Sequence, residues 1–146
     1  RAVAHAASGN IEAAETEKIL FTTAFDNVPD TRYIFNNQCR DILAIAAEML
    51  NGELAYRKGN YDAAFTHLHK SVDLDDHLPY VEPWGWMQPV RHALGALMLE
   101  QGRVEEAVYR ADLGLDQTLS RPAQHPDNVW SLHGYVECLH PLNKHE

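Results

Sequence analysis

The chain has little of several features that would assign it to a particular class of protein. It has only two cysteines in 146 residues, Cys39 and Cys138, and they form no CxxC pair. Neither a secreted disulfide scaffold nor a thiol redox motif is therefore indicated. No run of 18 apolar residues is present, which argues against a membrane-spanning helix. The sequence also contains no phosphate-binding glycine motif, neither GxGxxG nor a P-loop.

Basic residues are few as well. Twelve Lys and Arg stand against 21 Asp and Glu, which gives a net charge of −9 at pH 7. Nucleic acids and anionic membranes both favour clustered positive charge, so we expect neither as a partner. No signal peptide is visible, and the two cysteines are expected to be reduced thiols. The chain is therefore predicted to be cytoplasmic. Arg1 opens directly into a helical pattern, so we expect the chain to be a piece of a longer one.

A spacing pattern of small residues recurs along the sequence. Two glycines stand seven residues apart and an alanine follows five residues after the second. The pattern occurs as Gly52, Gly59 and Ala64; as Gly95, Gly102 and Ala107; and, shortened, as Gly9 and Ala14. Such self-similarity is typical of stacked helical hairpins.

Apolar periodicity then gives the predicted elements of a single domain. We expect hairpins at about 1–25, 37–74 and 88–115, and an unpaired helix at about 127–140. Asn36 or Asn37 is predicted to be the N-cap of the first helix of the second hairpin. Asp127 or Asn128 is predicted to be the N-cap of the last helix. The extra length falls between hairpins, so the long connections are expected at one edge of the stack, where they could build a binding rim.

The motif resembles the tetratricopeptide repeat (TPR) family, and uncharacterised fungal and bacterial TPR-domain proteins most closely. Gly52, Gly59, Tyr61 and Ala64 match its hallmark in full, and Leu78-Pro79-Tyr80-x-Glu82-Pro83-Trp84 is similar to a segment of that group. The resemblance implies an all-α, right-handed α-solenoid over nearly the whole chain, with a concave groove that binds a protein or peptide.

The third hairpin departs from the TPR pattern. Tyr109 comes only seven residues after Gly102, and Ala111 stands where a large residue is expected. The segment has the spacing of a repeat from which two residues are missing between Glu106 and Val108. We expect either a shortened helix or a gap in the sequence there.

Candidate binding residues fall on the rim and on the groove. Aromatic side chains beside fixed charges suit a ligand pocket, because the rings supply apolar area and the charges supply orientation. The candidates are Arg40, Asp41, Asn51, Tyr80, Glu82, Trp84, Trp86, Arg91, His92 and Met98. The structural alternative is that both tryptophans fill a gap between hairpins and that Glu82 pairs with Arg91 or Arg40. For Arg40 and Asp41, with Asn36 and Asn37, the preferred interpretation is a buried polar clamp between the first connection and its neighbour.

Catalytic and metal chemistry are weakly indicated. Cys39 beside Arg40, or Ser71 near His67 and Asp75, could be drawn as dyads, but no strand–helix elbow accompanies them. His133, Glu137 and His140 share one helical face and could bind zinc, although a solvated polar face is the simpler interpretation. We therefore expect no metal, no cofactor and no catalytic residue.

Three functions remain open from the sequence. The first is a non-catalytic TPR-type scaffold that binds a protein, a peptide or an upstream domain of its own chain. The second is a small-molecule-binding or enzymatic protein with its site at the rim around Glu82 and Arg91. The third is a self-assembling module whose terminal helix forms a homodimer and buries Trp130, Leu132 and Leu139.

Overall fold

The computed structural model describes residues 1–104, 107–115, 119 and 124–142. These residues are mostly helical, with one small two-stranded sheet, so the prediction of a helical protein is confirmed at that level. Contacts divide the chain into two compact units, Arg1–Gln88 and Pro89–Glu146. The single domain expected from the sequence stays a prediction, and each unit is described by itself.

The first unit holds two helical hairpins joined through a short β-hairpin. Its elements are α1 (Ala2–Ala7), α2 (Ile11–Asp26), β1 (Tyr33–Ile34), β2 (Asn37–Gln38), α3 (Cys39–Arg57) and α4 (Tyr61–Asp76). The helices agree with the hairpins predicted at 1–25 and 37–74. The sheet was not predicted: β1 and β2 pair antiparallel, with Tyr33 opposite Gln38 and Ile34 opposite Asn37.

Left-handed glycines close the helical turns. Gly59 has φ +79°, and the N–H of Asn60 beyond it donates to the Ala55 carbonyl at 2.9 Å. Glycine ends a helix in this way without strain, because it adopts a positive φ without a side-chain clash. Gly9 and Gly102 have the same positive φ, so the turn positions predicted from the glycine spacing are confirmed.

The core of the first unit is built on small residues where helices approach closely. Ala14 is fully buried and packs with Ala2, Ala6, Leu50 and Leu54, which joins α1 and α2 to α3. Between α3 and α4, Gly52 leaves room for a large side chain, since a Cβ there would lie 2.6 Å from Leu68 Cγ. Alanine and glycine at these positions thus allow the helices to approach closely.

The described residues of the second unit form three helices, and each contacts the other two. They are α5 (Val90–Glu100), α6 (Ala107–Asp112) and α7 (Val129–Leu139). Asn128 caps α7, as predicted, because its side-chain oxygen accepts from the N–H groups of Trp130 and Ser131 at 2.9 and 3.2 Å. The suspected gap beside Glu106 lies outside the described residues.

Tyr109 is the packing centre of the second unit. Its ring lies between Gly95 of α5 and Gly134 of α7, and a Cβ on either glycine would overlap the ring. The side chain is 3% exposed. Burial, with a smaller contribution from Cys138, raises the pKa of Tyr109 to about 12, so the phenol stays neutral. The tyrosine that departs from the TPR spacing therefore lies against the glycine of its own hairpin.

Candidate functional site

The rim segment of the first unit places most of its aromatic side chains toward solvent. Tyr80 is 57% exposed and Trp84 is 41% exposed. A hydrogen bond to the Glu82 carboxylate raises the pKa of Tyr80. Tyr80, Glu82 and Trp84 thus lie together on one short stretch. Trp86, two residues further on, is instead half-buried.

The β-hairpin is fastened to this rim by two asparagines. The Asn36 side-chain amide donates to the Tyr80 carbonyl at 2.8 Å, and that of Asn37 donates to the Pro79 carbonyl at 3.0 Å. Neither residue caps α3, whose N-cap is Gln38, so that prediction is wrong. The two amides satisfy carbonyls that Pro79 and the irregular backbone leave without a ladder partner.

The tip of the β-hairpin adds apolar surface that the sequence reasoning missed. Tyr33, Ile34 and Phe35 are 52%, 48% and 73% exposed. Phe35 has φ +54°, an unusual conformation for a residue with a bulky side chain. Three consecutive apolar residues next to an asparagine pair were the available signal. The tip could not be recognised without knowing that Asn36 holds it against Tyr80.

Arg40 is a structural clamp on the connection between α2 and β1. Its guanidinium donates to the carbonyls of Phe25 and Val28 at 3.3 and 2.8 Å, lies 3.1 Å from Asp30, and stacks 4.9 Å from the centre of the Phe25 ring. This agrees with the clamp interpretation of Arg40. Asp41 is exposed in the first turn of α3 and takes no part in the clamp that the sequence suggested.

An open apolar groove of about 430 Å³ lies in the first unit among α1, α2, α3 and the end of the rim segment. On α2 the spacing i, i+3, i+4 places Glu17, Leu20 and Phe21 along one face of the helix. The remaining walls come from Arg1, Ala2, Val3, Ala46, Met49, Leu50, Trp86 and Gln88. Of the ten candidate residues, Trp86 alone lines this groove.

The other groove candidate of the first unit lies lower on α3. Asn51 is half-buried in the turn that follows Met49 and Leu50. Near the same end of α3, Lys58 forms an ion pair with Glu15 of α2. The apolar groove therefore begins about one turn earlier on α3 than the sequence predicted, because Ala46, Met49 and Leu50 line it and Asn51 does not.

The candidates of the second unit have different surroundings. Arg91 is half-buried in the first turn of α5. Met98, predicted to line a groove, is instead a core residue that is only 3% exposed. An unbranched apolar side chain on the buried stripe of α5 gains more free energy from burial than from exposure, so it offers no surface to a ligand.

His92 belongs to a buried polar cluster around Asp112. The Asp112 carboxylate is 3% exposed. One of its oxygens accepts from His125 Nδ1 at 2.8 Å. The other accepts a short hydrogen bond from the Ser131 hydroxyl and lies 3.4 Å from His92 Nε2. His92 Nε2 is in turn 2.7 Å from the Ser131 oxygen. The cluster thus ties α5, α6 and α7 together with the loop before α7.

The electrostatics of this cluster are those of a stabilised carboxylate. Burial alone would raise the pKa of Asp112, but the hydrogen bonds from His125, His92 and Ser131 outweigh burial and hold that pKa well below its ordinary value. Asp112 is therefore ionised at neutral pH and acts as the common acceptor. The signal in the sequence was a carboxylate four residues after Val108, on the apolar stripe of α6.

The cluster contains serine, histidine and aspartate but lacks the geometry of a catalytic triad. In a triad the histidine uses one nitrogen for serine and the other for aspartate. Here His92 Nε2 faces both Ser131 and Asp112, and the carboxylate also bonds the serine directly. Ser131 is fully buried, so its oxygen is not open to a substrate. The arrangement suits cross-linking of helices.

The other chemical candidates are likewise occupied by structure. The Ser71 hydroxyl is fully buried and donates to the Ile45 carbonyl at 2.8 Å. Cys39 is a buried free thiol. Within the described part of the chain, no group of three His, Cys, Asp or Glu side chains is placed to hold a metal ion. His133, Glu137 and His140, which the sequence offered as a zinc site, do not form such a group.

Comparison with models of known families, with curated proteins and with solved structures finds no match. The helices of the described residues include none with the length and apolar character needed to cross a bilayer. Function must therefore be inferred from the sites themselves.

Proposed function

We propose that the chain is a non-catalytic binding module of the TPR type, which holds a segment of a protein or peptide partner in the apolar groove of its first unit. The groove is the observation that carries the proposal. It presents Leu20, 59% exposed, beside Phe21 and Trp86. Its volume of about 430 Å³ lies within the range of about 300–1,000 Å³ that is usual for ligand sites.

The helical hairpins support the TPR assignment. α1 with α2, and α3 with α4, each meet at a left-handed glycine turn, and Gly52 receives Leu68 as a repeat of this kind requires. A right-handed solenoid continuing this arrangement, in the cytoplasm of a cell where Cys39 and Cys138 stay reduced, completes the proposal. Partner binding fits an acidic chain better than nucleic-acid binding does.

The test is selection of peptides on the purified chain from a displayed random library, followed by fluorescence anisotropy with the selected peptides. Leu20→Lys puts a charge into the groove at an exposed position, so the fold is retained. We expect it to weaken binding at least tenfold, which is about 1.4 kcal/mol. Ile19→Lys is the matched control, because Ile19 is the preceding residue, 66% exposed, and does not line the groove.

Binding that is equally weakened by both lysine variants would assign the effect to charge alone. Binding that neither variant changes would place the partner elsewhere on the molecule. Either result contradicts the proposal, as does a selection that yields no binding peptide.

Self-association through α7 is a second candidate, favoured by the exposure of that helix. Val129, Trp130, Leu132 and Val136 are 66%, 69%, 44% and 48% exposed. Exposed apolar residues clustered on one helix are typical of an interaction surface. Sedimentation of the wild type against Trp130→Glu tests it: the candidate requires a dimer that the substitution converts to monomer.

A further inference from the structure

The wall of the groove contains an unsatisfied hydrogen-bond donor. Trp86 lines the groove, and its indole Nε1 is buried without a hydrogen-bond partner among the described residues. Asn37 Oδ1 is the other buried side-chain atom of the described residues that lacks a hydrogen-bond partner. It is an acceptor, and Asn37 does not line the groove. A buried indole N–H usually finds a partner, so the orphaned donor needs an explanation.

An acceptor that enters the groove would supply that partner. An acceptor in the groove meets this N–H if the half-buried Trp86 side chain rotates so that the N–H turns toward the groove. Leaving such a donor unsatisfied costs free energy, and a bound acceptor recovers this cost. The free groove is therefore prepared for a ligand that combines apolar groups with an acceptor oxygen.

The charges at the groove favour a neutral acceptor. Glu17 lines the groove, and Arg1, which also lines it, lies 3.7 Å from the Glu17 carboxylate. The charge of Glu17 thus offsets that of Arg1 at the groove, and the whole chain is acidic. A ligand carboxylate would meet repulsion from Glu17, whereas an amide carbonyl would not.

The size of the groove decides between peptide conformations. One turn of a helix, about 10 Å across and 5.4 Å long, fills about 420 Å³. The groove, at about 430 Å³, therefore encloses about one turn, and a longer helix would leave most of its length outside. The interior carbonyls of a helix are also already bonded within it, whereas those of an extended segment are free.

We infer that the ligand of this groove is a short extended peptide segment, with an apolar side chain against Leu20 and Phe21 and a backbone carbonyl that accepts from Trp86 Nε1. This inference rests on the proposed function, and it specifies the chemistry of the partner at the same site. Trp86 acts as a specificity-determining donor, and the surrounding apolar residues supply affinity.

The experiment follows the indole N–H signals by ¹H–¹⁵N NMR during titration with two small probes. N-acetyl-phenylalanine N-methylamide carries a benzyl group and two amide carbonyls. Toluene carries the same apolar ring and no acceptor. The chain has three tryptophans, so the substitutions Trp86→Phe and Trp84→Phe assign the indole signals. Trp86→Phe is also the test variant, and Trp84→Phe is its matched control.

We expect both probes to shift methyl signals of Leu20 and Leu50, and only the amide probe to move the Trp86 indole proton downfield. Trp86→Phe keeps an aromatic ring in the wall but removes the donor. It should weaken binding of the amide probe about fivefold, the effect of one neutral hydrogen bond, and leave toluene binding unchanged. Trp84→Phe should change neither.

Three results would overturn the inference. The first is amide binding without a shift of the Trp86 indole proton. The second is equal weakening of both probes by Trp86→Phe, which would indicate loss of apolar contact only. The third is absence of binding by either probe. The first two leave the proposed function intact, because that function is judged by Leu20→Lys and the selected peptides.

Discussion

The α3–α4 pair of the first unit and the α5–α6 pair of the second use the same packing arrangement with different partners. In each, a glycine in the earlier helix makes room for a large side chain of the later helix: Gly52 for Leu68 and Gly95 for Tyr109. The leucine follows its glycine by 16 residues and the tyrosine by 14. A glycine therefore sets where two helices approach closely, whereas the side chain that fills the space can change in identity and register.

The two units differ more in their polar interiors. Between α3 and α4, the Ser71 hydroxyl donates a buried hydrogen bond to the neutral Ile45 carbonyl. The second unit instead places an ionised carboxylate, Asp112, at the junction of its helices. Its small apolar core is thus supplemented by a network that must stay fully paired. Stability in the two units should respond differently to substitution.

The largest expected effect is that of Asp112→Ala. Removal of the carboxylate leaves the donors of His92, His125 and Ser131 without their acceptor, and breaking a buried charged network costs about 3–5 kcal/mol. Native-state hydrogen exchange should show the loss in α5 and α7, with α3 unchanged. Ser71→Ala provides the comparison in the first unit and should cost about 1 kcal/mol. Equal costs for the two substitutions would refute the contrast between the units.

The same network has a defined dependence on pH. The pKa of Asp112 is lowered on folding, so its contribution is present above the unfolded value of 3.8. That contribution is lost only as pH falls below this value toward the lower folded pKa. The part of the stability difference between wild type and Asp112→Asn that depends on titration of this carboxylate should consequently be lost only in acid below about pH 4, as measured by urea unfolding across a pH series.

Gly95→Ala is expected to have the next largest effect. The new Cβ would overlap the Tyr109 ring, which Gly134 confines from the other side. Overpacking of this kind costs about 1–3 kcal/mol, measured as a shift of the urea midpoint. The double variant Gly95→Ala, Tyr109→Leu should recover part of the loss, because the flexible leucine can move away. A double variant less stable than the sum of the singles would contradict this account.

Glu48→Gln should have the smallest effect. Burial raises the pKa of Glu48, but hydrogen bonds from Lys70 and His67 outweigh it, so the pKa is lowered overall. Lys70 is 61% exposed and His67 is 39% exposed, so solvent screening limits the loss to about 0.5 kcal/mol. Thermal unfolding of Glu48→Gln should detect this loss of stability. Asp73→Asn is the control, because the Asp73 carboxylate is 71% exposed. A loss above about 2 kcal/mol would show that this surface triad is stronger than screening allows.

The parts of the fold that could be predicted from the sequence are those set by local chemistry. Gly59 and its counterparts end helices because of their own backbone freedom, and Asn128 caps α7 through neighbouring N–H groups. Asn36 and Asn37 have the same local chemistry as caps. Their actual partners, Tyr80 and Pro79, lie more than 40 residues away in the sequence, and no local rule contains that information.

The candidate site was predictable only in outline for the same reason. The aromatic content of the rim identified Tyr80, Trp84 and Trp86. Which ring faces solvent and which lines a groove depends on contacts with α1, α2 and α3. The Asp112 cluster combines residues from four segments, so its members are not adjacent in any helical pattern. Periodicity could show only that Asp112 stands on an apolar stripe.

The asparagine contacts of the β-hairpin have a mechanical consequence for the first unit. The pair α3–α4 is joined covalently at Gly59, and its opposite end is fastened where Asn36 and Asn37 reach Tyr80 and Pro79. The segment from 36 to 80 is therefore closed into a ring by non-covalent bonds. Tension applied to the chain before residue 36 and after residue 80 acts first on the two amide–carbonyl hydrogen bonds. The helices α3 and α4 therefore bear no tension until both bonds break.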